Sequence, residues 1–173
     1  MELSQKIRNV PDFPKQGIGF KDITTLISDG PALRQAAEEM LSRFKESKID
    51  KIVGIESRGF IFAAIMAYKL GIGMAPARKP GKLPFTTLRE DYELEYGVGS
   101  LLMHIDAVTE GENVLIVDDL LATGGTVEAT AKLVERLGGK VIGCCFLIEL
   151  DFLNARKRLC SYRIESLIHY DSE

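Results

Sequence analysis

The run Val114-Leu115-Ile116-Val117-Asp118-Asp119-Leu120-Leu121-Ala122-Thr123-Gly124-Gly125-Thr126 constrains this chain more than any other segment. Four consecutive apolar residues, mostly β-branched, suit a strand covered on both faces, as the strands of a parallel sheet are. Asp118 and Asp119 then fall at its carboxyl end, where open α/β sheets bind ligands. Ala122, Thr123, Gly124, Gly125 and Thr126 are small enough for a ligand to approach the backbone closely. Residues 126–137 follow with helical spacing, Val127, Thr130, Ala131, Val134 and Leu137 marking one face. An anion at that turn meets free amides and the positive end of a helix dipole. Two carboxylates repel a phosphate but accept hydrogen bonds from sugar hydroxyls. The run therefore predicts ribose over Asp118 and Asp119, with its 5-phosphate over 122–126 and donors from Thr123 and Thr126.

Other phosphate loops fail on spacing. A nucleoside triphosphate loop needs a lysine after its last glycine, and Thr126 follows Gly125. A dinucleotide fingerprint needs three spaced glycines, and only the adjacent Gly124 and Gly125 are present. A plain strand-turn-helix connection with a capping threonine explains the glycines but not two aspartates and two threonines at one strand end.

Elsewhere strand-like and helical runs alternate. Helices are predicted at 31–47 and 59–70, and strands at 51–55, 73–77, 100–105, 140–147 and 164–168. The fold class is α/β: a single domain over 1–173 with a mostly parallel twisted sheet flanked by helices. A chain of 173 residues is long enough for one good core. A net charge of −3 gives no basic excess for nucleic acid. No apolar run approaches the roughly 18 residues of a membrane span, and the first residues are polar, so a cytoplasmic protein is expected. The three cysteines fit neither a disulfide framework nor zinc spacing, and read as buried reduced thiols.

Three further segments carry chemistry. The strand at 51–55 ends in Glu56-Ser57-Arg58-Gly59-Phe60, where amides near Gly59, Ser57 and the Arg58 guanidinium offer a second anion site. Residues 78–89 hold four cations among prolines and glycines, and 90–95 hold four carboxylates; 80–92 lacks helical period and is expected to be irregular, part of an active-site lid over 80–96. Residues 11–22 carry Phe13 and Phe20 among glycines and prolines, and an aromatic there could stack on a planar base. His104 and His169 belong to no catalytic constellation.

Assembled, these residues closely resemble the adenine phosphoribosyltransferases, a branch of the type I phosphoribosyltransferase superfamily. The likeness is carried by Pro11-Asp12-Phe13-Pro14, Gly19-Phe20-Lys21-Asp22-Ile23, Glu56 to Phe60, Arg78-Lys79-Pro80-Gly81-Lys82-Leu83-Pro84, Leu94-Glu95-Tyr96-Gly97 and Val117 to Thr126. The resemblance implies transfer of a phosphoribosyl group from 5-phosphoribosyl 1-diphosphate to adenine, with Mg2+ carried on the substrate's diphosphate and no metal ligand set in the protein. It implies a small hood over 1–30 and a homodimer. Ala122 to Thr126 would hold the 5-phosphate, Asp118 and Asp119 the ribose, and Ser57, Arg58 and Lys79 the diphosphate. Phe20 would stack on adenine, with Gly19 and Lys21 beside it. Glu95 would assist the purine proton and Tyr96 would lie next to it. Lys21 stands where arginine is frequent, Gly19 where a β-branched residue is, and Phe85 where small residues are. The alternatives are a regulator that senses phosphoribosyl diphosphate without turnover, or an enzyme of the same fold for another base.

Overall fold

The computed structural model describes residues 1–94 and 97–172. The chain opens with a 3₁₀ turn, Leu3–Lys6, and two short antiparallel strands, β1 (Arg8–Val10) and β2 (Phe20–Asp22), with Arg8 opposite Asp22 and Val10 opposite Phe20. The short helix α1 (Thr24–Ile27) leads into α2 (Gly30–Ser42). The Asp29 carboxylate caps α2 by accepting the Ala32 N–H at 3.1 Å, and Pro31 occupies its first turn, where a missing N–H costs nothing. Expected to reach residue 47, the helix ends at Ser42. Beyond it Phe44 N–H and Ser47 N–H bond three residues back, to Leu41 O and Phe44 O, and the tightened turn buries Phe44.

The remaining elements are β3 (Lys51–Ile55), α3 (Gly59–Leu70), β4 (Gly73–Ala77), β5 (Thr87–Leu94), β6 (Gly97–His104), β7 (Asn113–Leu121), α4 (Gly125–Arg136), β8 (Lys140–Leu150), α5 (Ala155–Arg158) and β9 (Ile164–Tyr170). Five strands form one parallel sheet in the order β4-β3-β7-β8-β9. Side chains alternate across it. Ile52, Leu115, Val117, Cys145 and Leu147 pack with α2 and α3, whereas Val53, Ile55, Val114, Ile116, Cys144 and Phe146 pack with α4 and β6. Helices thus cover both faces, as the unbroken apolar strands require. Cys144 and Cys145 are buried on opposite faces, and burial pushes the Cys145 thiol up to about 12. Cys160 departs from the expectation of buried thiols: it is exposed.

Two further expectations change. Residues 80–86 are irregular, but Thr87–Leu94 is a strand, and the strand expected at 100–105 joins it rather than the parallel sheet: β5 and β6 form an antiparallel hairpin from Thr87↔His104 to Leu94↔Gly97. The charges that hid β5 are paired across the hairpin and onto α4. Asp91 accepts from Arg89 Nε at 2.7 Å and from Ser100 Oγ, its register partner, at 2.6 Å. Arg136 on α4 donates to Glu90 Oε2 at 2.7 Å and to the Arg89 carbonyl at 2.8 Å. Between these polar contacts Leu88 and Tyr92 pack against the core.

The order of the strands fixes where a ligand can sit. From β3 the chain passes through α3 to β4 at one edge, and from β7 it passes through α4 to β8 on the other side. The neighbours β3 and β7 therefore send their following helices to opposite faces of the sheet. The crevice opened between their carboxyl ends is the usual binding position in such folds.

Candidate active site

The loop leaving β3 enters α3 without a spacer. Gly59 is required there, because a Cβ at this position would lie 2.7 Å from Asp118 Oδ1, 2.8 Å from the Val117 carbonyl and 3.0 Å from Asp118 Cα. The first turn of α3 is seated on the end of β7, which brings the Ser57–Arg58 loop to the two aspartates. Arg58 Nε lies 2.9 Å from Asp119 Oδ2. Asp119 is 4% exposed, and this oxygen is buried without an aligned hydrogen bond among the described residues. Asp118 Oδ1 accepts the Asp119 N–H at 2.8 Å. Desolvation, and then the Asp119 charge, push the Asp118 pKa well above the ordinary value. Desolvation also raises Asp119, and the Arg58 guanidinium opposes it. The pair is a carboxylate site held together by one arginine and costly to leave charged.

The turn after β7 has the form its residues predict. Gly124 adopts φ 83° as the N-cap of α4, a conformation that favours glycine, and the helix begins at Gly125. The first-turn amides of α4 have no acceptor within the helix, so they face the space in front of it. Thr123 is exposed, and Ala122 and Thr126 are half-buried. Gly125 leaves little room for a side chain: a Cβ would meet Arg158 Nη1 at 3.0 Å, the Glu93 carbonyl at 3.2 Å and the Tyr92 ring at 3.3 Å. The β5–β6 hairpin and α5 therefore close directly on this turn.

The residues expected to meet the base lie on β2 and just before it. The Arg58 guanidinium sits 5.0 Å from the centroid of the Phe20 ring, and Phe13 meets Phe20 edge-on at 5.1 Å. Gly19 and Phe20 are half-buried. Lys21 points elsewhere: it is buried, its ammonium donating to Asn9 Oδ1 at 3.1 Å and lying 4.4 Å from the centre of the Tyr170 ring. Lys79 is exposed just beyond β4, with its N–H bonded to Glu56 Oε2 at 2.9 Å. Glu95 and Tyr96 lie outside the described residues.

Sequence reasoning did not foresee the pairing of Glu56 with Arg78, and gave Arg136 and Arg158 no part. A carboxylate beside an anion loop was itself a signal that a cation must neutralise it. One group of metal-capable side chains occurs among the described residues, Glu149, Asp151 and His169. Glu149 is already engaged by a fork of two 2.8 Å bonds from Arg156 and by Ser166 at 2.7 Å, and the group lies on β8, β9 and the turn after β8 rather than at the β3–β7 crevice. His104 accepts the Phe85 N–H at 3.3 Å, and His169 lies 2.9 Å from Asp151. Both have local partners.

A parallel sheet with its crevice between β3 and β7, a carboxylate pair on one strand end and a small-residue anion turn beside it define a protein of the phosphoribosyl-transferring class. The family model described as "Phosphoribosyl transferase domain" matches residues 24–169. Within that class the chain belongs to the adenine phosphoribosyltransferase family, pentosyltransferase enzymes of purine salvage. It is 56% identical over 171 residues to the adenine phosphoribosyltransferase of Clostridium perfringens, spanning 99% of each chain. The crystal structure of the Thermoanaerobacter pseudethanolicus adenine phosphoribosyltransferase matches with a TM-score of 0.96 at 54% identity, covering 98% of each chain. That of Saccharomyces cerevisiae, complexed with an imino-altritol bisphosphate and adenine, matches with a TM-score of 0.90 at 38% identity over 95% of this chain and 96% of that one.

Proposed function

We propose that this site joins adenine to the anomeric carbon of 5-phosphoribosyl 1-diphosphate, giving AMP and diphosphate. The observation that carries the assignment is the position of Arg58: one guanidinium lies 2.9 Å from Asp119 and 5.0 Å from the Phe20 ring, so the proposed ribose, diphosphate and base positions adjoin. The 5-phosphate lies on Ala122, Thr123, Gly124, Gly125 and Thr126, where the α4 amides receive it. Asp118 and Asp119 accept the ribose hydroxyls. The diphosphate lies on Ser57, Arg58 and Lys79, and adenine stacks on Phe20 with its edge toward the Gly19 backbone. Lys21 supports the hood beneath the base rather than touching it, a role its bond to Asn9 and its contact with Tyr170 favour.

In the reaction an imidazole nitrogen of adenine forms a bond to the anomeric carbon while the bond from that carbon to the diphosphate oxygen breaks. The diphosphate leaves with the bonding pair, and Glu95 receives the proton given up by the purine. Positive charge gathers on the sugar as the bond breaks, so the protein holds nucleophile and sugar in line while cations attend the leaving group. Asp118 and Asp119 are hard oxygen donors at the crevice, and Arg58 already engages Asp119. That donor set suits Mg2+ bound mainly through diphosphate oxygens and water. When bound, the ion supplies Lewis-acid help to the departing diphosphate. Residues 80–96 act as the lid that limits hydrolysis of the activated sugar.

The proposed setting is a cytoplasmic homodimer. Exposed Phe85 and Ile105 give a second copy an apolar surface, and free cysteines suit a reducing compartment. No helix of the described residues is long and apolar enough to cross a membrane. The test is AMP formation from labelled adenine and phosphoribosyl diphosphate with Mg2+, run beside hypoxanthine and guanine. Turnover with adenine alone supports the reading, another preferred base overturns the specificity, and no turnover with any base overturns the enzyme assignment for these residues.

A further inference from the structure

A carboxylate stands where the proposed chemistry least favours one. Glu56 is the residue immediately before Ser57 and Arg58, in the loop assigned to a diphosphate. A negative charge at that position repels the ligand and weakens binding unless it does something that outweighs the repulsion. Its contacts show what that is. Its N–H extends the β3–β4 ladder by bonding Ala77 O at 2.9 Å, which holds the backbone in line with the sheet. Its carboxylate faces Arg78 in a fork, with Arg78 Nε 3.2 Å from Oε2 and Nη2 3.4 Å from Oε1, and Oε2 also accepts the Lys79 N–H at 2.9 Å. The side chain is 13% exposed. Burial works to raise its pKa, but the Lys79 N–H and the Arg78 guanidinium outweigh burial and hold the group below the ordinary value.

Arg78 is tied in turn on three sides. Its N–H and carbonyl both pair with Leu102 of β6, at 2.9 and 2.7 Å, and its Nη1 donates to the Lys82 carbonyl at 3.2 Å. The Glu56 carboxylate therefore joins the loop after β3, the segment after β4 and the β5–β6 hairpin at one point. The residues on either side of this junction are the cations assigned to substrate: Arg58 lies two positions after Glu56, and Lys79 follows Arg78. Arg78 thus serves as a strut between Glu56 and β6.

We propose that Glu56 is the positioning residue of the diphosphate site, its carboxylate locking Arg78 and the Lys79 main chain so that the Ser57–Arg58 loop and Lys79 face one leaving group together. This rests on the reading of those loops as a diphosphate site. It assigns Glu56 no contact with substrate. Two anion-binding segments from different strands act on one ligand only when their separation is fixed, and a misplacement of about 1 Å can cost on the order of a hundredfold in rate.

The test compares wild type with Glu56→Ala and Glu56→Gln, measuring calorimetric binding of diphosphate with Mg2+, steady-state KM for each substrate, and the thermal midpoint. Positioning predicts at least tenfold weaker diphosphate binding and a matching rise in KM for phosphoribosyl diphosphate in Glu56→Ala, with the adenine KM within twofold. Glu56→Gln, which keeps an acceptor for the Lys79 N–H but loses the ionic fork, should fall between. Charge alone predicts the opposite sign, because removing an anion should tighten binding. Unchanged or tighter diphosphate binding in Glu56→Ala, beside a wild type that binds it, overturns the inference and leaves the functional reading intact. An equal rise in both KM values overturns it in favour of a general structural role. A wild type that neither binds diphosphate nor turns over overturns the functional reading and the inference with it. Should Glu56→Ala fail to fold, Glu56→Gln carries the same sign test.

Discussion

Gly59→Ala adds one methyl group where the first turn of α3 meets the end of β7. The new carbon would stand 2.7 Å from Asp118 Oδ1, 2.8 Å from the Val117 carbonyl and 3.0 Å from Asp118 Cα. Ordinary non-bonded contact lies at about 3.5 Å, so relief needs a displacement of several tenths of an ångström. Two of the three obstructing atoms are backbone and cannot swing aside, so the helix end has to move. Overpacking of this kind costs about 1–3 kcal/mol, and the better helix propensity of alanine returns up to about 1 kcal/mol. A net loss of about 1–2 kcal/mol lowers the thermal midpoint by roughly 2–8 °C for a chain of this size. The same displacement carries Ser57 and Arg58 away from Asp119, now 2.9 Å from Arg58, so the KM for phosphoribosyl diphosphate should rise severalfold. Gly30→Ala is the matched control. Gly30 opens α2 as Gly59 opens α3, but a Cβ there meets nothing within 4 Å. It should be neutral or stabilising by up to about 1 kcal/mol. Thermal melting and steady-state kinetics on both variants decide the matter. If Gly59→Ala melts with Gly30→Ala and keeps the wild-type KM, the contact between α3 and β7 does not position Arg58.

Asp118→Asn should raise the melting temperature at pH 8, by about 1–8 °C if it relieves the 0.5–2 kcal/mol typical of such changes. The folded protein holds Asp118 above its ordinary pKa, so ionisation destabilises it at high pH, and the penalty starts to shrink as pH falls through that raised value and is gone once pH falls below the ordinary one. The advantage of the variant should therefore shrink as pH falls, and a difference independent of pH between 8 and 4 would refute the argument; affinity for phosphoribosyl diphosphate should drop. Gly125→Ala should weaken binding of the 5-phosphate end by pushing the Glu93 carbonyl and the Tyr92 ring off the turn, seen as a higher KM for phosphoribosyl diphosphate with ribose 5-phosphate losing inhibition in parallel; retained inhibition would show that the hairpin does not shape the cradle. Glu95→Ala should lower kcat by about 10²–10⁴, the range for a positioned general base, with little change in phosphoribosyl diphosphate affinity; unchanged turnover would remove Glu95 from the mechanism.

Much of the fold was legible because local spacing encodes it. The predicted limits of β3, α3 and β4 match the structure, since each is a short apolar run bounded by a turn or a glycine. The strand-turn-helix run of β7 and α4 was legible for the same reason: strand, acids, small residues and helix are contiguous. β5 was not. Its charges break the apolar alternation that marks a strand, and they are satisfied by Ser100 on β6 and Arg136 on α4, which lie far along the chain. Local periodicity carries no record of such partners.

By itself the sequence determined the order of strand, acid pair, small-residue turn and helix, because thirteen adjacent residues carry it, and the proposed sugar-phosphate site rests on that run. The family resemblance extended that to the base. The tertiary structure decided how the halves meet. Arg58 reaches both Asp119 and Phe20, Glu56 finds Arg78 22 residues away, and Lys21 turns to Asn9 and Tyr170. Each of these depends on which strands are neighbours in the sheet and on how the hood folds back. A strand order is set by the packing of every helix and strand at once, and no single segment states it.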